Sequence, residues 1–297
     1  MQPAQSLKGA TMASVAIGIL MAIVSVMGLA LGLGGLYGDP AGALGPTPST
    51  AGILVPGFLG HDVFNLFVGL PVLVGVVWRA RRGSQVALLL WPGALYYVLY
   101  TYAIYLIGAA FSSPFLGYAM LVALSGFATI ALVAAIEHGL ARERLQTAVP
   151  ARLVGGLLLG LALVTMAQDA SGAISTAAAG GAATDPIARA VWSVDLSVEV
   201  PAVLVGGLML WRRRALGYLA GAGLLLQYGL TPVALAFGVL VQAIVTGSAV
   251  NWGTVGGVLA FAVVCFAPLG FFIRGAGMRP ASPQPTPRHV TASTIRL

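Results

Sequence analysis

The chain has 297 residues, 59% of them hydrophobic and only 8% charged, whereas a soluble domain carries about 25% Asp, Glu, Lys and Arg; a water-soluble fold is excluded. The net charge of +7 does not describe a nucleic-acid binder, because the basic residues stand in short clusters between apolar segments and not on one face interleaved with aromatics. The single cysteine, Cys265, lies in an apolar run, which excludes a disulfide framework and a cysteine metal site.

Apolar windows recur at 11–36, 63–78, 85–109, 115–136, 152–168, 196–211, 216–245 and 253–273. Windows of this kind approach the roughly twenty residues needed to cross about 30 Å of hydrocarbon. They predict an all-α, polytopic membrane helix bundle of eight transmembrane helices, with the lipid bilayer as its first partner. The opening window exceeds the 7–15 apolar residues of a signal peptide and has no cleavage site, so it is expected to remain as a helix. After it, Thr47, Pro48, Gly52, Pro56 and Gly57 mark an outer loop. Within that loop Ile53 to Leu59 is weakly apolar, too short to span, and is expected at the interface. From Gly275 on, Pro, Ser, Thr and Arg dominate, which predicts a disordered tail over 275–297.

Positive charge in short loops is retained in the cytoplasm. With an inside amino terminus, Lys8, Arg79, Arg81, Arg82, Arg142, Arg144, Arg152, Arg212, Arg213, Arg214, Arg274, Arg279, Arg288 and Arg296 all fall on the inner side, leaving Arg189 outside. Adding or losing one span would invert every later loop, so eight spans and two cytoplasmic termini are expected together.

Asp62 and Asp195 each open an apolar window, and those windows close on Trp78-Arg79 and Trp211-Arg212, both pairs 133 residues apart. Leu88-Leu89-Leu90 and Leu224-Leu225-Leu226 follow at a spacing of 136. The order predicts a tandem duplication of a four-helix unit, 1–148 and 149–274, related by an axis along the membrane normal. Small residues spaced four apart, at Gly28/Gly32, Gly156/Gly160 and Gly217/Gly221, suit close helix contacts within the bundle, with other membrane proteins or with a second copy.

Polar groups inside apolar segments are the leads to function, because each is costly to bury without a partner. His61, Asp62, Asn65, Asp195 and Glu199 are expected at an outer vestibule. Asp62 and Asp195 also read as helix N-caps, whereas Glu199 stands a turn inside its segment with no cation nearby in sequence. Tyr96, Tyr97 and Tyr100 share a face of the third helix, and Gln227, Tyr228 and Thr231 hold the corresponding stretch of the seventh. Pro92 and Pro232 offer places where the backbone could open. These six residues are expected either to line a ligand-binding cavity between the halves or to hydrogen-bond between helices.

No cofactor is expected. His61, His138 and His289 are not placed for haem, no phosphate-binding loop with its lysine occurs, and no catalytic triad or metal-hydrolase spacing is present. An enzyme is therefore the weakest reading. The run Leu95-Tyr96-Tyr97-Val98-Leu99-Tyr100-Thr101-Tyr102 with Phe111-Ser112-Ser113-Pro114-Phe115 resembles uncharacterised bacterial multi-pass membrane proteins. The resemblance covers about twenty residues and implies a bacterial inner membrane and no known activity. Two functions stay open: a small-molecule carrier or sensor with a polar cavity, or a structural subunit of a membrane complex without a ligand site.

Overall fold

A computed structural model describes residues 3–32, 36–37, 50–109, 111–136, 142–180 and 186–277. Thr47, Pro48, His138, His289 and the tail from 278 on lie outside the described residues.

Among the described residues eight helices are long and apolar enough to cross a membrane, and the chain is a polytopic helical membrane bundle. In order they are the first span, Pro3–Leu31; the second, Thr50–Phe64 continuing through Asn65–Gly69 and Leu70–Arg81; the third, Gln85–Gly108; and the fourth, Phe115–Ile136. After a short helix, Arg142–Ala148, come the fifth span, Ala151–Ala178; the sixth, Pro186–Val194 continuing through Asp195–Glu199 and Val200–Trp211; the seventh, Ala215–Thr246; and the eighth, Trp252–Gly277. The third and seventh spans form the middle of the bundle, packed on each other and on most of the rest.

Several expectations are corrected. The stretch Ile53 to Leu59 is not loop but part of the helix Thr50–Phe64 that leads into the second span, continuous across Pro56. The sixth span likewise begins at Pro186, before the apolar window. Asp62 and Asp195 are therefore well inside continuous helices and cap nothing. Lipid-buried helices tolerate proline and glycine when neighbours satisfy the freed backbone groups, so these residues interrupt the hydropathy without interrupting the helix. For the same reason the third and seventh spans run unbroken across Pro92 and Pro232. The helix at the end also continues to Gly277, past the expected start of the tail.

Each of the second and sixth spans carries one five-residue π turn, Asn65–Gly69 and Asp195–Glu199. The Leu70 N–H donates to the Asn65 carbonyl and the Val200 N–H to that of Asp195. Further landmarks keep the same spacing of 130: Pro71 and Pro201 just after each π turn, and Arg82 and Arg212 at each C-cap. Left-handed backbone follows at Gly83 (φ 85°) and Arg213 (φ 56°). These landmarks are 130 residues apart where the tryptophans are 133 apart, and at a spacing of 130 Asp195 stands level with Asn65 and not with Asp62.

Close backbone approaches hold the centre. A first side-chain carbon on Gly93 would fall 2.5 Å from Gly223 Cα, and one on Gly60 would fall 2.3 Å from Gly238 Cα. One on Gly108 would meet Ala190 Cβ at 3.0 Å. Most of the glycine pairs spaced four apart are likewise used inside the chain. Gly28 and Gly32 face Tyr37, Asp62 and Leu59; Gly156 faces Trp211; Gly217 and Gly221 face Leu210.

Candidate functional site

The polar residues of the membrane interior fall into two groups. The first is sealed. Asp62 is fully buried and accepts hydrogen bonds from the Tyr37 hydroxyl at 2.5 Å and the Tyr105 hydroxyl at 3.2 Å. Tyr37 lies in the connection after the first span, where burial and then the Asp62 carboxyl push its phenol far above its ordinary range; it therefore serves as a proton donor. Gly28 makes this bond possible, since a first side-chain carbon there would sit 2.0 Å from Asp62 Oδ2. At the neighbouring π turn, Asn65 accepts from the Tyr97 hydroxyl at 2.7 Å and donates to the Tyr102 hydroxyl at 3.4 Å. Tyr102 in turn shares a hydrogen bond of 3.1 Å with Ser25. The rings of Tyr102, Tyr105 and Tyr118 pack alongside with centroids 5.2–6.0 Å apart, all three of them buried.

The second group is open. Around the other π turn, a cavity of about 420 Å³ lies between the fifth, sixth, seventh and eighth spans, with Tyr100 of the third closing one side. Asp169, Asp195 and Glu199 all line it, with Gln227, Tyr228, Thr231 and Phe261, and no basic side chain stands among its lining residues. The volume falls in the range of small-molecule sites, about 300–1,000 Å³.

The difference between the two groups follows from particular residues. At the spacing of 130, Tyr97 and Tyr102, which fill the space beside Asn65, correspond to the smaller Gln227 and Pro232 beside Asp195. Helix placement adds to it. The first span lies against the fourth, whereas the fifth makes no comparable contact with the eighth. The fifth packs instead on the sixth, where Gly155 meets the backbone of Gly207 and Trp211.

Tyr100 donates to Asp195 Oδ1 at 2.8 Å, and Thr231 donates to the Gln227 carbonyl at 3.1 Å while accepting from Gln227 Nε2 at 3.2 Å. Glu199 differs. It is 2% exposed, yet neither carboxyl oxygen has a hydrogen-bond partner among the described residues. The Tyr96 hydroxyl lies near it without a hydrogen bond of ordinary length. Asp169 Oδ2, Gln227 Oε1 and the Tyr228 hydroxyl also lack hydrogen-bond partners among the described residues. A buried polar group without a partner is costly, and two carboxyl groups, an amide oxygen and a phenol in that state in and around one cavity mark it as a place for something the described residues do not supply. The Tyr228 and Phe261 rings, with centroids 6.3 Å apart, give the wall an aromatic face.

A second cavity, of about 310 Å³, lies between the second, third, sixth and seventh spans, lined by His61, Thr101, Ile187 and Gln242 among others. Tyr100, Thr231 and Leu235 border both cavities. These three residues form the partition between them. The His61 ring holds the Gly57 carbonyl oxygen at 3.0 Å from Nδ1.

The sequence-derived residues thus divide. Tyr100, Gln227, Tyr228 and Thr231 line the acidic cavity together with Asp195 and Glu199, and His61 lines its neighbour. Tyr96 and Tyr97, adjacent in sequence, point to different groups: Tyr96 toward Glu199, Tyr97 to Asn65. Asp62 and Asn65 are locked in the tyrosine network and open into no vestibule. Asp169, Thr165 and Gln168 were not anticipated. The window of the fifth span closes at 168, while the helix runs on to Ala178. Comparison with protein-family models, curated proteins and solved structures returns no match.

Proposed function

We propose that this multi-pass membrane protein is a small-molecule carrier or sensor of the bacterial inner membrane, and that its ligand is a small organic cation held in the acidic cavity. In this reading both termini are cytoplasmic, and 1–148 and 149–274 are tandem four-helix repeats followed by the 275–297 tail. The landmarks spaced by 130 residues support the duplication, with the two halves having diverged: one filled its π-turn site with tyrosines, the other kept it open.

The observation that carries the proposal is the Glu199 carboxyl, buried in a 420 Å³ cavity with both oxygens unpartnered and two further carboxyl groups beside it. An ammonium group supplies donors and the opposite charge at once, and charge-assisted hydrogen bonds to carboxylate are about twice as strong as neutral ones. Tyr228 and Phe261 suit the apolar part of such a ligand and offer ring faces to its charge.

Thermal unfolding of the purified full-length protein in detergent tests this. Alkylammonium ions should raise the midpoint in a concentration-dependent way, while neutral alcohols of matching shape and carboxylates should not. No shift with any cation, or equal shifts with all three classes, would overturn the proposal and favour a subunit without a ligand site.

A further inference from the structure

We propose that the groove between the first and second spans is a binding site for one anionic phospholipid. This inference is independent of the ligand in the acidic cavity.

The groove encloses about 640 Å³. On the first span it runs from Thr11 to Ala22, and on the second from Leu70 to Arg82. Twelve and thirteen residues of helix, end to end, rise about 17–18 Å at about 1.5 Å per residue, close to the about 15 Å depth of one hydrocarbon leaflet. Its walls are almost wholly apolar, and Val15, Ile19 and Val74 on its rim are about half exposed, so it opens sideways toward lipid.

Only one end is charged. Arg81 and Arg82 stand there, with the Arg82 guanidinium 3.8 Å from the centre of the Trp78 ring. A tryptophan and two arginines where a spanning helix ends belong to the headgroup zone. The Trp78 ring holds one guanidinium in place, and arginine pairs with phosphate through parallel hydrogen bonds. The occupant that fits is a molecule with an apolar chain as long as one leaflet and a negative head at its end. A phospholipid meets both conditions, whereas a free phosphate meets one.

The corresponding surface between the fifth and sixth spans is closed. Trp211 lies on Gly156, and Gly155 meets the backbone of Gly207 and Trp211. The groove is therefore a feature of the first and second spans and not a general consequence of two helices ending in arginines.

The full chain is reconstituted in vesicles of equal parts phosphatidylglycerol and phosphatidylcholine, extracted, and examined by native mass spectrometry. One retained phosphatidylglycerol per chain is expected. An arginine near an anionic lipid surface contributes on the order of fivefold in affinity, so Arg81→Gln with Arg82→Gln should cut the preference over phosphatidylcholine by roughly twenty-five-fold. Ile19→Trp, which fills the groove and keeps both arginines, should lose the retained lipid while unfolding at the wild-type temperature. Equal retention of phosphatidylcholine, an undiminished preference in the double variant, or stabilisation of the detergent-solubilised protein by inorganic phosphate as strong as by phosphatidylglycerol would each overturn the proposal.

Discussion

Gly93 and Gly223 meet backbone against backbone where the third and seventh spans cross, so closely that a side-chain carbon on Gly93 would stand 2.5 Å from Gly223 Cα. Nothing at this crossing can yield by rotating a side chain. Gly93→Val should therefore push the two central spans apart, and overpacking of this kind costs about 1–3 kcal/mol. A lowered unfolding midpoint and a poor yield of folded protein are the expected result. Gly256→Ala is the control, because no atom lies within 4 Å of the carbon it adds. Equal stability of the two variants would mean that the crossing is looser than described.

The sealed Asp62 site makes a second prediction. Tyr37→Phe removes the 2.5 Å hydrogen bond and leaves Asp62 Oδ2 buried without its partner. Such a loss costs about 1–3 kcal/mol. Gly28→Ala should do comparable damage from the other side, since its methyl would occupy the position of the bond itself. Thermal unfolding measures both, and neither should alter cation binding, because neither residue borders the acidic cavity.

The turns after the two π-containing spans differ in a way that stability measurements can read. Gly83 has φ 85° and Arg213 has φ 56°, the left-handed region that an L residue enters only at a cost. Arg213→Gly should raise the unfolding midpoint modestly. Gly83→Ala should lower stability by about 1 kcal/mol through backbone strain alone, because no atom stands within 4 Å of the added carbon.

Basic residues gathered at one end of the spans set the expected orientation. Reporter fusions placed after Arg214 and at Leu297 should both report the cytoplasm. An external signal at either position would overturn the topology.

The number of helices was legible in the sequence because lipid imposes a length that hydropathy reads directly. Where the second and sixth spans begin was less so: Pro56 and Gly57 in one, and Pro186 and Arg189 in the other, lower the hydropathy of segments that the bundle still keeps helical. The candidate site was half legible. Tyr100, Gln227, Tyr228, Thr231, Asp195 and Glu199 were found as costly polar groups in apolar segments. Asp169 escaped because it sits one residue past the end of its apolar window. The π turns escaped because no residue pattern announces them; both spans carry one at the same spacing of 130, so the 133 read from the tryptophans arises because Trp78 and Trp211 stand at different distances beyond their turns. A shared helix face also failed to show that Tyr96 and Tyr97 serve opposite groups, since a side chain's partner depends on which helix crosses at its level.

The equilibrium affinity of the most stabilising alkylammonium ion, measured by calorimetry for the wild type, Glu199→Gln and Tyr97→Phe, addresses the acidic cavity most directly. Glu199→Gln keeps the shape of the side chain and removes its charge, while Tyr97 lies outside the cavity, bound to Asn65 at 2.7 Å. A hydrogen bond to a charged group contributes about 1.5–3 kcal/mol, which corresponds to a loss of roughly ten- to a hundredfold in affinity for Glu199→Gln and no change for Tyr97→Phe. An affinity in the folded Glu199→Gln protein equal to that of the wild type would contradict the placement of the ligand's charge at Glu199.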